Sequence, residues 1–208
     1  HQSIKNLNII KKEINLIINK IPSIIAVSKT FPMLEIMPLI KFGHIHFGEN
    51  KVQEAEEKWS DIKKEFKNIK LHMIGKLQTN KVKYAIPLFD YIHSLDSIKL
   101  AKKISTEQKK FNKKLKIFIQ INLANEDQKS GIKSNELANF YKICTTELDL
   151  DIIGLMCLPP NDKKSNYYFS EMKKLKSILE VKELSMGMSG DYLDAIKHET
   201  TFIRVGSK

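Results

Sequence analysis

Eight short apolar runs alternate with seven amphipathic stretches along this chain, and no other feature narrows the fold as much. An apolar run followed by a helical pattern, repeated in series, implies parallel strands joined by crossover helices. Strands are expected at 24–28, 44–48, 71–75, 91–94, 115–122, 152–158, 184–188 and 201–206. Helices are expected between them at 33–42, 49–66, 78–86, 96–111, 134–146, 165–180 and 191–198. A leading helix over 3–19 precedes the series, because Ile4, Leu7, Ile10, Ile14, Ile17 and Ile18 recur at three- and four-residue spacing.

Eight such units predict an α/β fold, a closed (β/α)8 TIM barrel. It carries an extra N-terminal helix, and the closing C-terminal helix is missing after the eighth strand. An open doubly wound sheet is the alternative. It usually places a glycine-rich phosphate loop after its first strand, where this chain reads Ser28-Lys29-Thr30-Phe31-Pro32. The 208 residues are read as one domain, 1–208, truncated at its C-terminus.

Charge comes next because it suggests a partner. The net charge is +11, but the lysines are spread over every expected helix and mixed with Glu and Asp. Without an arginine stripe or a basic-aromatic motif, this is a solvated surface and no specific nucleic-acid site. No apolar run approaches a membrane span, and the N-terminus has no long apolar leader. The two cysteines, Cys144 and Cys157, lack disulfide or metal-ligand spacing and are expected as buried thiols in a reducing, cytoplasmic setting.

Against 34 lysines stands a single arginine, Arg204, inside the apolar run Phe202-Ile203-Arg204-Val205. Its planar fork of donors stays charged when desolvated, so that geometry is needed here. The position reads equally as a buried ion pair.

In such barrels the chemistry gathers at the C-terminal ends of the strands. Those ends carry Lys29, then Gly48-Glu49-Asn50, Gly75, Asn122, Ser189-Gly190-Asp191 and Gly206-Ser207. The loops after the last two strands combine backbone amides with the hydroxyls of Ser189 and Ser207, a pattern suited to a phosphate. Ser189 also reads as a plain helix cap. Lys29 ends the run 24–28 on the face of Ile25 and Val27. Partly desolvated and close to Arg204, its amine would have a lowered pKa and could add to an aldehyde. It also reads as a rim lysine whose stem covers apolar surface. Lysine, phosphate loops and buried arginine together suggest a phosphorylated aldehyde.

The motifs support a resemblance. Ala26-Val27-Ser28-Lys29-Thr30, Phe47-Gly48-Glu49-Asn50-Lys51-Val52-Gln53-Glu54 and the segment 72–81 are followed in order by Lys129-Ser130-Gly131 and Gly154-Leu155-Met156. The series closes with 184–192 and Ile203-Arg204-Val205-Gly206-Ser207. These motifs span nearly the whole chain and resemble the pyridoxal phosphate homeostasis protein family.

The resemblance implies a barrel like the N-terminal domain of alanine racemase, holding pyridoxal 5′-phosphate as a Schiff base on Lys29. It implies phosphate contacts from Ser189, Gly206 and Ser207, Arg204 beside the cofactor, and Asn50 with the Ile74-Gly75 turn lining the pocket. The expected role is intracellular cofactor homeostasis, by buffering or by delivery to apo-enzymes, as a monomer without catalytic turnover. The alternatives are a racemase-like amino-acid enzyme and a binder of a plain phosphometabolite. The sequence departs from the family pattern at Glu199, where glycine is usual, at Ser207, where threonine is commoner, and in the closing segment after Ser207.

Overall fold

The computed structural model describes residues 1–124 and 130–206. Its eight strands pair in sequence order, each parallel to its neighbours, and the sheet closes on itself where the first meets the eighth. They are β1 (Ser23–Val27), β2 (His46–Glu49), β3 (Lys70–Met73), β4 (Tyr91–Leu95), β5 (Lys116–Ile121), β6 (Asp151–Cys157), β7 (Glu183–Met188) and β8 (Phe202–Val205). Helix α1 (Gln2–Asn15) leads. Then α2 (Met33–Lys41), α3 (Val52–Glu65), α4 (Val82–Leu88), α5 (Ile98–Phe111), α6 (Leu137–Lys142), α7 (Ser165–Leu179) and α8 (Tyr192–Ala195) follow the first seven strands. The expected closed barrel is therefore present.

Strand bounds shift by up to two residues, and the larger differences from the sequence reading lie at helix ends. The helix expected over 134–146 is α-helical only from Leu137 to Lys142 and then widens into a π turn over Ile143–Glu147. The one expected at 191–198 is a four-residue α-helix running into a 3-10 turn. Amphipathic spacing marks the buried face but does not distinguish these hydrogen-bond patterns.

Alternation along each strand divides the core into layers. Ile25, Tyr91, Phe118, Met156 and Phe202 pack together inside the barrel. Their neighbours in sequence, such as Ile24, Ile92, Ile117 and Ile203, face the helices. Helix α1 lays Leu7, Ile10 and Ile14 on Ile24, Ile203 and Val205, so it covers the seam between β8 and β1. Tyr192 ties this helix to α8 by donating its hydroxyl to Glu13.

Glu199 ends the 3-10 turn before β8 in the left-handed region, at φ 61° and ψ 30°, a conformation that favours glycine. A side chain in that conformation costs about 1 kcal/mol relative to glycine. The exposed ion pairs of Glu199 with Lys173 (2.7 Å) and Lys176 (3.4 Å) return part of it. Glu199→Gly is therefore expected to be neutral or stabilising by up to about 1 kcal/mol. A urea midpoint clearly below wild type would contradict this.

Candidate cofactor site

Lys29 follows β1 at the C-terminal mouth, and the chain around it is clamped from both sides. On one side the Ser28 amide donates to the Gly48 carbonyl at 2.9 Å, and the Ser28 hydroxyl donates to Glu49 Oε1 at 2.7 Å. Lys58 Nζ donates to the Ser28 carbonyl at 2.9 Å. On the other side Thr30 takes a left-handed conformation, φ 65°, which is costly for a β-branched residue. Its amide donates to Glu54 Oε1 at 2.7 Å. That contact holds the Glu54 carboxyl below its ordinary pKa, with the Lys58 ammonium adding to the effect.

The clamp comes from the ends of β2 and the first turns of α3. Glu54 and Lys58 lie one helical turn apart and pair at 3.0 Å. Lys58 also reaches Glu49 at 3.0 Å. Glu49 is fully buried, and its Oε1 additionally accepts the Trp59 indole N–H at 2.9 Å.

Lys29 itself is exposed, not partly desolvated as the sequence suggested. Arg204 pairs with Ile25 across β1 and β8, four positions before Lys29. Strand β1 ends at Val27, and Lys29 lies in the turn that follows.

Arg204 shares the inward face of β8 with Phe202 and is 4% exposed. Among the described residues no carboxylate pairs with it. It donates to Ser185 Oγ at 2.5 Å and to the Cys157 carbonyl at 2.9 Å. Of the two readings of this position, the buried ion pair is thus not the one found. Burial lowers its pKa, but a guanidinium keeps its proton regardless. Two of its five donors are spent on these contacts. Cys157, which burial pushes up to about 12, and Cys144, likewise about 12, are the inert thiols expected.

The loops after β7 and β8 meet. Gly187, at φ 94°, carries a bulge that leaves Ser185 opposite Phe202 but Met188 opposite Arg204. A side chain at Gly187 would be strained in that conformation and would also strike Ala195. Beyond the bulge Ser189 Oγ accepts the Gly206 amide at 3.3 Å, so two predicted phosphate ligands are brought together, on each other. Asp191 is turned back onto the Met188 amide at 2.6 Å. Ser207, and Lys129 of the Lys-Ser-Gly motif, lie outside the described residues.

Asn50 follows β2, and its Oδ1 is buried without a hydrogen-bond partner among the described residues. The end of β3 lies against it so closely that a Cβ at Gly75 would sit 2.4 Å from the Asn50 carbonyl oxygen. Between β3, β5 and β6 the mouth widens into a cleft of about 440 Å³ lined by Ile74, Gly75, Gln120, Asn122 and Leu158.

Sequence reasoning missed Lys58, Ser185, His72 and His93. Nothing in local pattern separates Lys58 from other helical lysines. The histidines did carry a signal, as polar residues inside the apolar runs Leu71-His72-Met73 and Ile92-His93-Ser94.

Comparison with known proteins gives the family. Residues 5–208 match the family model of the alanine racemase N-terminal domain. The chain is 35% identical to the pyridoxal phosphate homeostasis protein of Haemophilus influenzae, over 88% of this chain and 82% of that one. It is 33% identical to the protein of that name from Buchnera aphidicola, over 97% and 93%. The structure of PipY from Synechococcus elongatus with pyridoxal phosphate bound superposes with a TM-score of 0.83 at 30% identity, covering 94% of this chain and 97% of that one. An alanine racemase from Clostridium difficile shares the fold alone, with a TM-score of 0.73 at 16% identity over 98% of this chain and 56% of the racemase. Barrel, motif order and similarity over most of both chains converge, and the chain belongs to the pyridoxal phosphate homeostasis protein family.

Proposed function

We propose that this protein holds pyridoxal 5′-phosphate as a Schiff base on Lys29 and serves intracellular homeostasis of that cofactor, by buffering it or passing it to apo-enzymes. The observation that carries the reading is the clamped turn around Lys29. A strained Thr30 and a buried carboxylate are both committed to presenting one exposed amine at the barrel mouth.

The residues present suit the cofactor. Bound pyridoxal phosphate supplies an aldehyde carbon and, as an imine, an electron sink for amino-acid chemistry. Lys29 offers the amine. Arg204 offers a buried, permanent cation whose remaining donors suit a pyridine nitrogen or a phosphate. The Ser189 hydroxyl and the Gly206 amide suit the phosphate, exchanging a long 3.3 Å contact for ligand oxygens. Asn50 Oδ1 offers an unpartnered acceptor. Arginine beside the ring nitrogen disfavours its protonation and so weakens the electron sink, which favours holding over turnover.

The carrier role, without catalysis, as a cytoplasmic monomer, is part of the proposal. A racemase-like activity would need a second acid or base across the ring, and the likeness to racemases at 16% identity carries fold only.

Borohydride reduction of the cofactor-loaded protein, followed by peptide mass mapping, tests the reading. A pyridoxyl adduct on the peptide containing Lys29 is expected. An adduct confined to another lysine would overturn it. Enzyme-like exchange of amino-acid α-protons in heavy water would overturn the carrier role alone.

A further inference from the structure

A line of polar side chains crosses the otherwise aromatic interior of the barrel. His46 Nδ1 lies 2.9 Å from His72 Nε2, and His72 Nδ1 lies 2.9 Å from His93 Nε2. His93 Nδ1 lies 2.8 Å from Ser185 Oγ, which accepts from Arg204. The residues come from β2, β3, β4, β7 and β8. A bulge in β4 helps to aim His93, since Ile92 and Leu95 pair with Ile117 and Ile119 and leave two residues opposite Phe118.

Aromatic walls fix the rings. Tyr91 stacks on His72 with centroids 4.2 Å apart, and Phe118 stacks on His93 at 4.3 Å. Phe202 packs against all three imidazoles. At the N-terminal face, His46 borders a cavity of about 240 Å³ lined also by Lys11 and His44.

The arginine end sets the direction of the whole line. A guanidinium only donates, so Ser185 Oγ accepts from it. The serine proton then needs its own acceptor, and His93 Nδ1 is the one in reach. His93 must therefore carry its proton on Nε2, toward His72 Nδ1. The same logic puts the His72 proton on Nε2, toward His46 Nδ1. In the opposite orientation Ser185 accepts twice and its buried proton has no acceptor among the described residues, which costs about 1–3 kcal/mol.

We infer that His93 and Ser185, backed by His72 and His46, are positioning residues for Arg204, joined in a one-way hydrogen-bonded chain that keeps Ser185 an acceptor toward the guanidinium. The proposal rests on the reading that Arg204 meets the cofactor. A lone serine hydroxyl rotates and can turn its proton toward the cation. An imidazole whose tautomer is locked from behind removes that freedom. With the Cys157 carbonyl holding a second nitrogen, the guanidinium plane is pinned from β6 and β7 and its other donors keep a fixed aim.

His46 accepts at Nδ1, so its other nitrogen is an N–H and offers no lone pair at the N-terminal face. Its charged neighbours are Lys70 and Asp90, with Lys63 and His44 near His72, and Arg204 near His93. Burial lowers the pKa of all three rings, most strongly for His72 and His93.

Long-range nitrogen–proton NMR of histidine-labelled, cofactor-free protein tests the chain directly. His46, His72 and His93 are expected as neutral Nε2–H tautomers, with His72 and His93 unchanged from about pH 5 to about pH 8. An Nδ1–H tautomer at His72 or His93, or titration of either ring in the ordinary imidazole range, overturns the proposal. Ser185→Ala is expected to give mixed tautomers at His93 and to weaken pyridoxal phosphate binding about tenfold. An unaltered His93 spectrum or unaltered affinity in that variant overturns it. If wild type shows the stated tautomers yet binds no pyridoxal phosphate, the chain is supported and the cofactor reading is what fails.

Discussion

Lys58→Met is expected to destabilise the protein by about 3–4 kcal/mol, because it strands a buried carboxylate. Glu49 has no exposed surface, and its Oε2 has no hydrogen-bond partner among the described residues. Its Oε1 therefore carries the hydrogen bonds, shared by the Ser28 hydroxyl, the Trp59 indole and the Lys58 ammonium. Of the three, only Lys58 brings a compensating charge. Methionine keeps much of the stem's packing, so the loss falls on the ion pair and on the Ser28 carbonyl that Lys58 also holds.

For a chain of 208 residues, that loss lowers the melting temperature by about 10 °C. The double variant Lys58→Met, Glu49→Gln is expected to recover at least half of it, since a neutral amide needs no counter-charge. Urea unfolding of the wild type, both single variants and the double variant gives the coupling directly. Strict additivity would show that the pair does not act as a unit. The clamp also predicts a consequence at the mouth, because Lys58→Met frees the peptide preceding Lys29 and should slow its reaction with the aldehyde.

Lys29→Ala is expected to do the reverse, abolishing the chemistry and sparing the fold. Lys29 is exposed, and among the described residues its amine makes no hydrogen bond or ion pair. Its removal should therefore change the stability of the cofactor-free protein by no more than about 0.5 kcal/mol. The near-visible imine band and the borohydride-stable adduct should vanish completely, while weaker retention through Arg204 and the serine-bearing loops persists. Absorbance spectra and dialysis of loaded wild type and variant measure both effects. A variant that retains the full imine band would show that another lysine carries the cofactor. Together the two substitutions separate a lysine that builds the site from the lysine that reacts in it.

Much of this was legible locally. Alternation of apolar runs with amphipathic stretches located eight strands and their crossover helices, since a parallel barrel strand is apolar on both faces and a covering helix on one. The ends of those runs pointed to Lys29, Asn50, Ser189, Gly206 and Ser207 because strand order in a barrel brings successive ends to one face. The isolation of Arg204 among lysines marked a position where charge alone was not the requirement.

What the sequence by itself determined about this protein is thus its barrel, its order of motifs and the place of Lys29 at the mouth. Only the tertiary structure decided which distant groups meet. It selected Lys58 to neutralise Glu49, set Ser189 on Gly206, left Lys29 exposed and threaded three histidines to Ser185. Those contacts depend on strand register, and register is shifted by the bulges in β4 and β7. A one-residue shift changes which side chains share a layer while barely altering the apolar pattern. Strand and helix periodicity is a property of neighbours in the chain, whereas a hydrogen bond between residues 93 and 185 exists only once the barrel has closed.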